Sequence, residues 1–171
     1  MDAERDLGEI ELRQATWDDY DFLYDLLKTT MREHVELIWI WDEQWQQERF
    51  EKTFNPAENR IIVLNGVDVG VIATRRYEDE IFLARLYILP EYQGRGIGTQ
   101  LIRSLLVEAR REGLPVTLRV LTGNPAKRLY ERLGFEVVED AVTHYLMKAT
   151  PSSRKPTRDD ASNKPKNLSN P

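Results

Sequence analysis

The sequence has no cysteine among its 171 residues. That rules out disulfides, thiolate metal sites and a cysteine nucleophile. Histidine is almost as scarce: His34 and His144 stand alone and far apart, so no histidine-built metal site is expected. Long apolar runs are missing too. The longest obvious one, LIWIW at 37–41, falls well short of the roughly 18 residues that a membrane span needs. The acidic opening MDAERDLGEI has no apolar signal-peptide core. These absences predict a cytoplasmic protein with no membrane contact.

Net positive charge is also lacking. The whole chain carries −5. Residues 151–171, PSSRKPTRDDASNKPKNLSNP, hold five Lys/Arg and two Asp/Glu, which leaves −8 on residues 1–150. An acidic domain is poorly suited to a phosphate backbone, so no nucleic-acid partner is expected. The 151–171 segment has almost no large apolar residues and cannot bury enough surface to offset the entropy of ordering. We expect a disordered tail there and one domain over residues 1–150.

The remainder alternates between two periods. EIELRQA (9–15) alternates as a strand does, and Thr16 three residues before Asp19 resembles a capping box. Phe22, Leu23, Leu26 and Leu27 follow at helical spacing, and a second helix is expected over about 42–54. RIIVLNGVDVGVIATRRY reads as two strands turned at Asn65-Gly66. IFLARLYIL (81–89) is a further strand, stopped by Pro90. A helix with Leu101, Ile102, Leu105, Leu106 and Ala109 on one face runs to about Arg111, where Gly113 caps it. After the strand VTLRVL (116–121), Asn124-Pro125 opens a short helix whose apolar face is Ala126, Leu129, Tyr130 and Leu133. FEVVED and THYLMKA close the chain as strands. The alternation in the second half predicts a partly parallel sheet, and the hairpin and closing strands make it a mixed α/β sheet.

EYQGRGIGTQLIRSLL (91–106) places three glycines in five positions at a helix start. Free amides there, and the positive end of the helix dipole, suit a phosphate or pyrophosphate. The P-loop spacing fails because Thr99 follows Gly98 and no lysine is in place. The dinucleotide fingerprint fails because the spacing is G-x-G-x-G, which argues against a nucleotide-binding domain. The pattern Q/R-x-x-G-x-G/A after a strand fits Gln93 to Gly98.

With LARLYILPEYQGRGIGTQLI and NPAKRLYERLGF on either side of one strand, the chain resembles the GNAT superfamily of N-acetyltransferases over roughly residues 9–148. The resemblance implies a mostly antiparallel central sheet with helices on both faces and a V-shaped splay between two central parallel strands. It implies acetyl-CoA bound in that splay, with no metal. The pyrophosphate would meet Gln93, Gly94, Arg95, Gly96, Ile97, Gly98 and Thr99, and the pantetheine arm Leu86, Tyr87 and Ile88. Asn124 and Tyr130 match positions near the thiol, with Tyr130 as general acid. Asn124 is equally explained as an N-cap, and Tyr130 as core. The acceptor would be a small or protein amine. Glu33, His34, Glu36 and Glu80 are the candidates for general base, and carboxylates beside aromatics would suit a cationic amine. A homodimer is compatible with the resemblance, though no residue demands one. A non-catalytic acyl-CoA-binding regulatory module is the alternative reading.

Overall fold

The computed structural model describes residues 7–151, so apart from Pro151 the expected tail lies outside the described residues. Strands β1 (Ile10–Gln14), β2 (Asn59–Leu64), β3 (Val67–Arg76), β4 (Ile81–Ile88), β5 (Val116–Leu121), β6 (Glu136–Asp140) and β7 (His144–Ala149) form one sheet in the order β1-β2-β3-β4-β5-β7-β6. Every neighbouring pair is antiparallel except β4 and β5. Helices α1 (Tyr20–Glu36) and α2 (Glu43–Thr53) precede the β2–β3 hairpin; α3 (Ile97–Glu112) and α4 (Ala126–Arg132) flank β5 in sequence. No helix among the described residues is long and apolar enough to cross a membrane.

Side-chain alternation along the strands divides the core in two. Ile61, Val63 and Val71 face α1 and α2, where they join Leu23, Leu26, Phe50 and Phe54. Ile62, Leu64, Ile72, Leu83 and Leu118 face α3 and α4, against Leu101, Ile102, Leu105 and Tyr130. An aromatic cluster welds α2 to α1: Tyr20 and Tyr24 meet the Phe50 ring with centroids 5.1 and 5.3 Å apart. Such pairs each contribute about 0.5–1.5 kcal/mol beyond area burial.

The ends of the elements follow local chemistry. The Asp19 carboxylate accepts from the Thr16 amide at 2.8 Å, as the capping-box spacing predicts. The same carboxylate is clasped by Arg13 at 2.8 and 3.0 Å, and Arg13 also reaches Asp68 at 2.6 Å. This pins β1 to the start of α1 and to β3. Asp42 caps α2 by accepting from the Trp45 amide at 2.9 Å.

One feature of β4 was not visible in the sequence. The β3–β4 register passes from Thr74↔Leu83 to Ala73↔Arg85, so Ala84 is an extra, bulged residue. Beyond the bulge, β3 comes very close to β4 at Gly70. A Cβ on Gly70 would lie 2.3 Å from the Tyr87 carbonyl oxygen and 3.2 Å from Ile88 Cα. The severe contact is with β4 backbone, which cannot swing aside as a side chain can. Gly70→Ala is therefore expected to destabilise the protein by about 1–3 kcal/mol, the usual range for overpacking. Denaturant unfolding measures this, and unchanged stability would mean that β3 and β4 can separate at little cost.

Candidate functional site

The parallel β4–β5 pairing holds for only three residue pairs: Ile81↔Val116, Phe82↔Thr117 and Leu83↔Leu118. Beyond them β4 stays with β3 as far as Gly70↔Ile88, while β5 stays with β7 as far as Leu121↔His144. Each strand is held from outside, so the two part. A cleft of about 1370 Å³ opens between them, lined by residues from elements on both sides of the sheet.

Alternation of backbone groups says what β4 offers to this gap. The Leu89 amide donates to the Val69 carbonyl at 2.8 Å, toward β3. The amides of Tyr87 and Arg85 point the same way, and those of Leu86 and Ile88 point into the gap. The Ile88 carbonyl also leaves the ladder and accepts from Gln93 Nε2 at 2.8 Å. This gap-facing stretch is an unpaired strand edge, ready to pair with an extended ligand.

The glycine segment closes one end of the cleft. Gly94 and Gly96 take φ of +71° and +94°, a region that side chains other than glycine's enter only under strain. Gly98 differs. Its φ is ordinary, and an added Cβ would meet nothing closer than Leu129 Cδ2 at 3.5 Å. The chain itself does not require glycine there. No hydrogen bond within the described residues takes up the amides from Gly94 to Thr99; the Gln100 amide, bonded to the Gly96 carbonyl at 3.0 Å, is the first one engaged. A row of free amides at the start of a sixteen-residue helix is an arrangement that suits an anion. Arg95 folds back, donating to the Glu91 carbonyl at 2.8 Å and lying over the Tyr92 ring.

Asn124 and Tyr130 both line the cleft. Asn124 caps α4, accepting from the Ala126 amide at 2.9 Å. Tyr130 is buried and packs edge-on against Phe135 at 5.7 Å. Its hydroxyl makes no hydrogen bond within the described residues. Burial, reinforced by neighbouring Tyr87, pushes the phenol up to about 12. Tyr87 is raised as well, by burial, against the opposing pull of Arg85 and Arg49. Both tyrosines therefore remain protonated donors at neutral pH.

The structure gathers the residues expected at the loop and on β4, namely Leu86, Tyr87, Ile88 and Gln93 to Thr99, around this one cleft together with Asn124 and Tyr130. The expected bases are scattered. His34 lines the cleft, whereas Glu33, Glu36 and Glu80 do not. Glu33 is exposed on α1, and Glu36 pairs with Arg32 at 2.9 Å. Glu80 sits at the closed end of the β4–β5 pair, where the Thr117 hydroxyl donates to it at 2.9 Å. Sequence reasoning missed Arg49, Arg85 and His144, which also line the cleft. Arg85 did leave a signal: it is the one charge inside the apolar strand IFLARLYI.

A family model described as the acetyltransferase (GNAT) family matches residues 20–135. A curated relative from Haemophilus influenzae, the [ribosomal protein bS18]-alanine N-acetyltransferase, is 32% identical over 88 residues, which is 51% of this chain and 60% of that protein. An L-methionine sulfoximine/L-methionine sulfone acetyltransferase from Pseudomonas aeruginosa is 39% identical over 54 residues, 30% of this chain and 31% of that protein. Among solved structures, the PaiA N-acetyltransferase of Thermoplasma acidophilum in complex with coenzyme A superposes with a TM-score of 0.68 at 18% identity, covering 83% of this chain and 99% of that one. The ribosomal-protein-S18-alanine N-acetyltransferase of Escherichia coli gives 0.62 at 19% identity, covering 86% and 97%. At these identities the superpositions establish a shared fold.

A stability test follows from Tyr130. Its hydroxyl has no partner to lose, so Tyr130→Phe is expected to keep stability within about 0.5 kcal/mol at pH 7. The phenol is raised in the folded state, so its contribution is intact below the unfolded value near 10. It is lost as pH rises toward 12. The variant should therefore outlast the parent in melting scans above about pH 10. Equal alkaline melting would mean that this phenol ionises freely in the folded protein.

Proposed function

The chain belongs to the GNAT acetyltransferase family, and from that footing we propose that it transfers an acetyl group from acetyl-CoA to a primary amine by direct attack on the thioester. The observation that carries this reading is the parting of β4 and β5 after Leu83 and Leu118, with free amides at one mouth of the cleft and Tyr130 inside it. The relatives agree in kind: one is named for an alanine of ribosomal protein bS18, another for L-methionine sulfoximine and sulfone.

The residues present suit acetyl-CoA. The amides of Gly94 to Thr99 would hold the pyrophosphate, and the bare Cα of Gly98 leaves room for it. The gap-facing edge at Leu86 and Ile88 would pair with the amides of the pantetheine arm. The Ile88 amide is turned toward the gap while that of Tyr87 points to β3, so the Ile88 amide can stabilise charge building on the thioester oxygen. Tyr130 donates to the departing sulfur. An alkylammonium must lose a proton before it can attack. Among the four candidates His34 lines the cleft, so we assign proton removal to it or to solvent at its side. We place this activity within residues 1–150.

Two substitutions test the reading. Gly98→Ala meets no clash in the protein, so stability should hold while acetyl-CoA affinity measured by calorimetry falls at least about tenfold, or about 1.4 kcal/mol. Unchanged affinity would take the loop out of the cofactor site. Tyr130→Phe should lower kcat on the order of 10²-fold with acetyl-CoA affinity within a few-fold. Full kcat, measured where chemistry limits the rate, would return Tyr130 to a packing role. If the unmodified protein binds acetyl-CoA but releases no thiol with any amine, it is an acyl-CoA-binding module instead.

A further inference from the structure

Carboxylates beside aromatics were expected to welcome a cationic amine. The cleft has the opposite character. Its charged lining is five arginines, Arg49, Arg85, Arg95, Arg119 and Arg132, against one carboxylate, Asp42. Asp42 is already engaged as the cap of α2. This basic lining sits in a domain whose sequence is strongly acidic, so it is a local arrangement and not a reflection of composition.

Arg85 is the most informative of the five. It shares the α1/α2 face of β4 with Tyr87, two residues along, and is half-buried. The strand arginines Arg13 and Arg75, with side chains 39% and 40% exposed, each have a carboxylate: Asp19 and Asp68 for the first, Glu58 for the second. Arg85 has none within ion-pair distance among the described residues. Its hydrogen-bond partner is a neutral amide, Asn59 Oδ1, at 3.3 Å. Asn59 is itself 2% exposed, and its Nδ2 donates to the Asn55 carbonyl at 2.7 Å. That bond fixes which way the amide faces, so Arg85 is oriented without being neutralised. A half-buried guanidinium without a counter-ion is costly unless a ligand supplies one. Arg49, exposed on α2 and stacked over Trp45 at 5.2 Å, lines the same side. Both arginines act electrostatically on the Tyr87 hydroxyl, so both lie near the point where β4 faces the gap.

We propose that the acceptor is a small amine carrying its own carboxylate, an α-amino acid being the simplest, held by Arg85 with Arg49 beside it. The inference rests on the N-acetyltransferase reading of the same cleft. Arg85 and Tyr87 are about 7 Å apart along the strand, so an anion on the guanidinium places the amine only a few bonds away. A bidentate guanidinium–carboxylate pair would set the acceptor's orientation as well as its affinity. Two nearby cations also disfavour the ammonium form and release the nucleophile at lower pH. The nitrogen lone pair forms the N–C bond to the acetyl carbon and the C–S bond breaks. The electron pair leaves on sulfur, which takes a proton, and the nitrogen loses one to His34 or water. The products are an N-acetylamino acid and the free thiol of CoA. Exposed Trp39, Ile40 and Trp45 at the rim offer apolar contact for the remainder of the molecule.

The test is thiol release from acetyl-CoA by the full chain with matched pairs: the L-amino acids, their carboxamides, spermidine and a short peptide. The acid should exceed its amide in kcat/KM by at least about tenfold, mostly through KM, for one or more of the amino acids. Arg85→Gln should bring that ratio to near one, and Arg49→Gln should reduce it. Faster turnover of amides, spermidine or peptide overturns the inference and leaves N-acetyl transfer standing. So does an Arg85→Gln variant that keeps the full ratio. If Arg85→Gln fails to fold, the acid-to-amide ratio of the unmodified protein decides alone. Bound acetyl-CoA with no thiol release from any of these amines overturns the transferase reading, and the inference with it.

Discussion

Everything functional in this fold depends on where the β4–β5 hydrogen bonds stop. Parallel strands inside a sheet ordinarily stay paired, because each unpaired backbone group buried without a partner costs free energy. Here the pairing ends after Leu83 and Leu118, and the groups left over border a cleft. The separation is imposed from outside. β3 holds β4 through to Ile88, β7 holds β5 through to Leu121, and the Ala84 bulge bends β4 as the two diverge. Gly70 lets β3 stay close to β4 at Tyr87 and Ile88, the far end of the stretch that has left β5. The unsatisfied edge is thus a consequence of neighbouring pairings that are themselves satisfied.

The two faces of the sheet divide the work at this gap. On the α3/α4 face the Gly94–Thr99 amides and the buried Tyr130 hydroxyl are neutral donors without acceptors among the described residues, beside the capped start of α4. On the α1/α2 face the groups are charged: Arg49 and Arg85 stand near Tyr87 with no ion-pair partner among the described residues. A cleft that passes between the two strands joins these environments. In the proposed reaction the donor would lie on one side and the acceptor would approach from the other, the reacting atoms meeting between Tyr87 and Tyr130. Burial keeps both phenols protonated, so the cleft offers donors for negative charge and little to attract a cation.

The sequence by itself determined the elements and their order, because those rest on local rules. The Asn65-Gly66 turn, the Asn124 cap, the Gly113 stop and the alternating apolar positions each depend on a few neighbouring residues. The glycine loop was legible for the same reason: Gly94 and Gly96 adopt positive φ within a single turn before α3. Tertiary structure alone decided what depends on several strands at once. The Ala84 bulge is a mismatch between two strands and has no signature in either. Glu80, just before β4, and Arg85 within it lie five residues apart, yet one is at the closed end beside Thr117 and the other in the open cleft. Only the point at which β4 and β5 part separates them. Arginines, not the expected carboxylates, also line the side of the cleft proposed for the acceptor. The charge of a site is set by which side chains the strands deliver to it, and the composition of the chain carries no record of that.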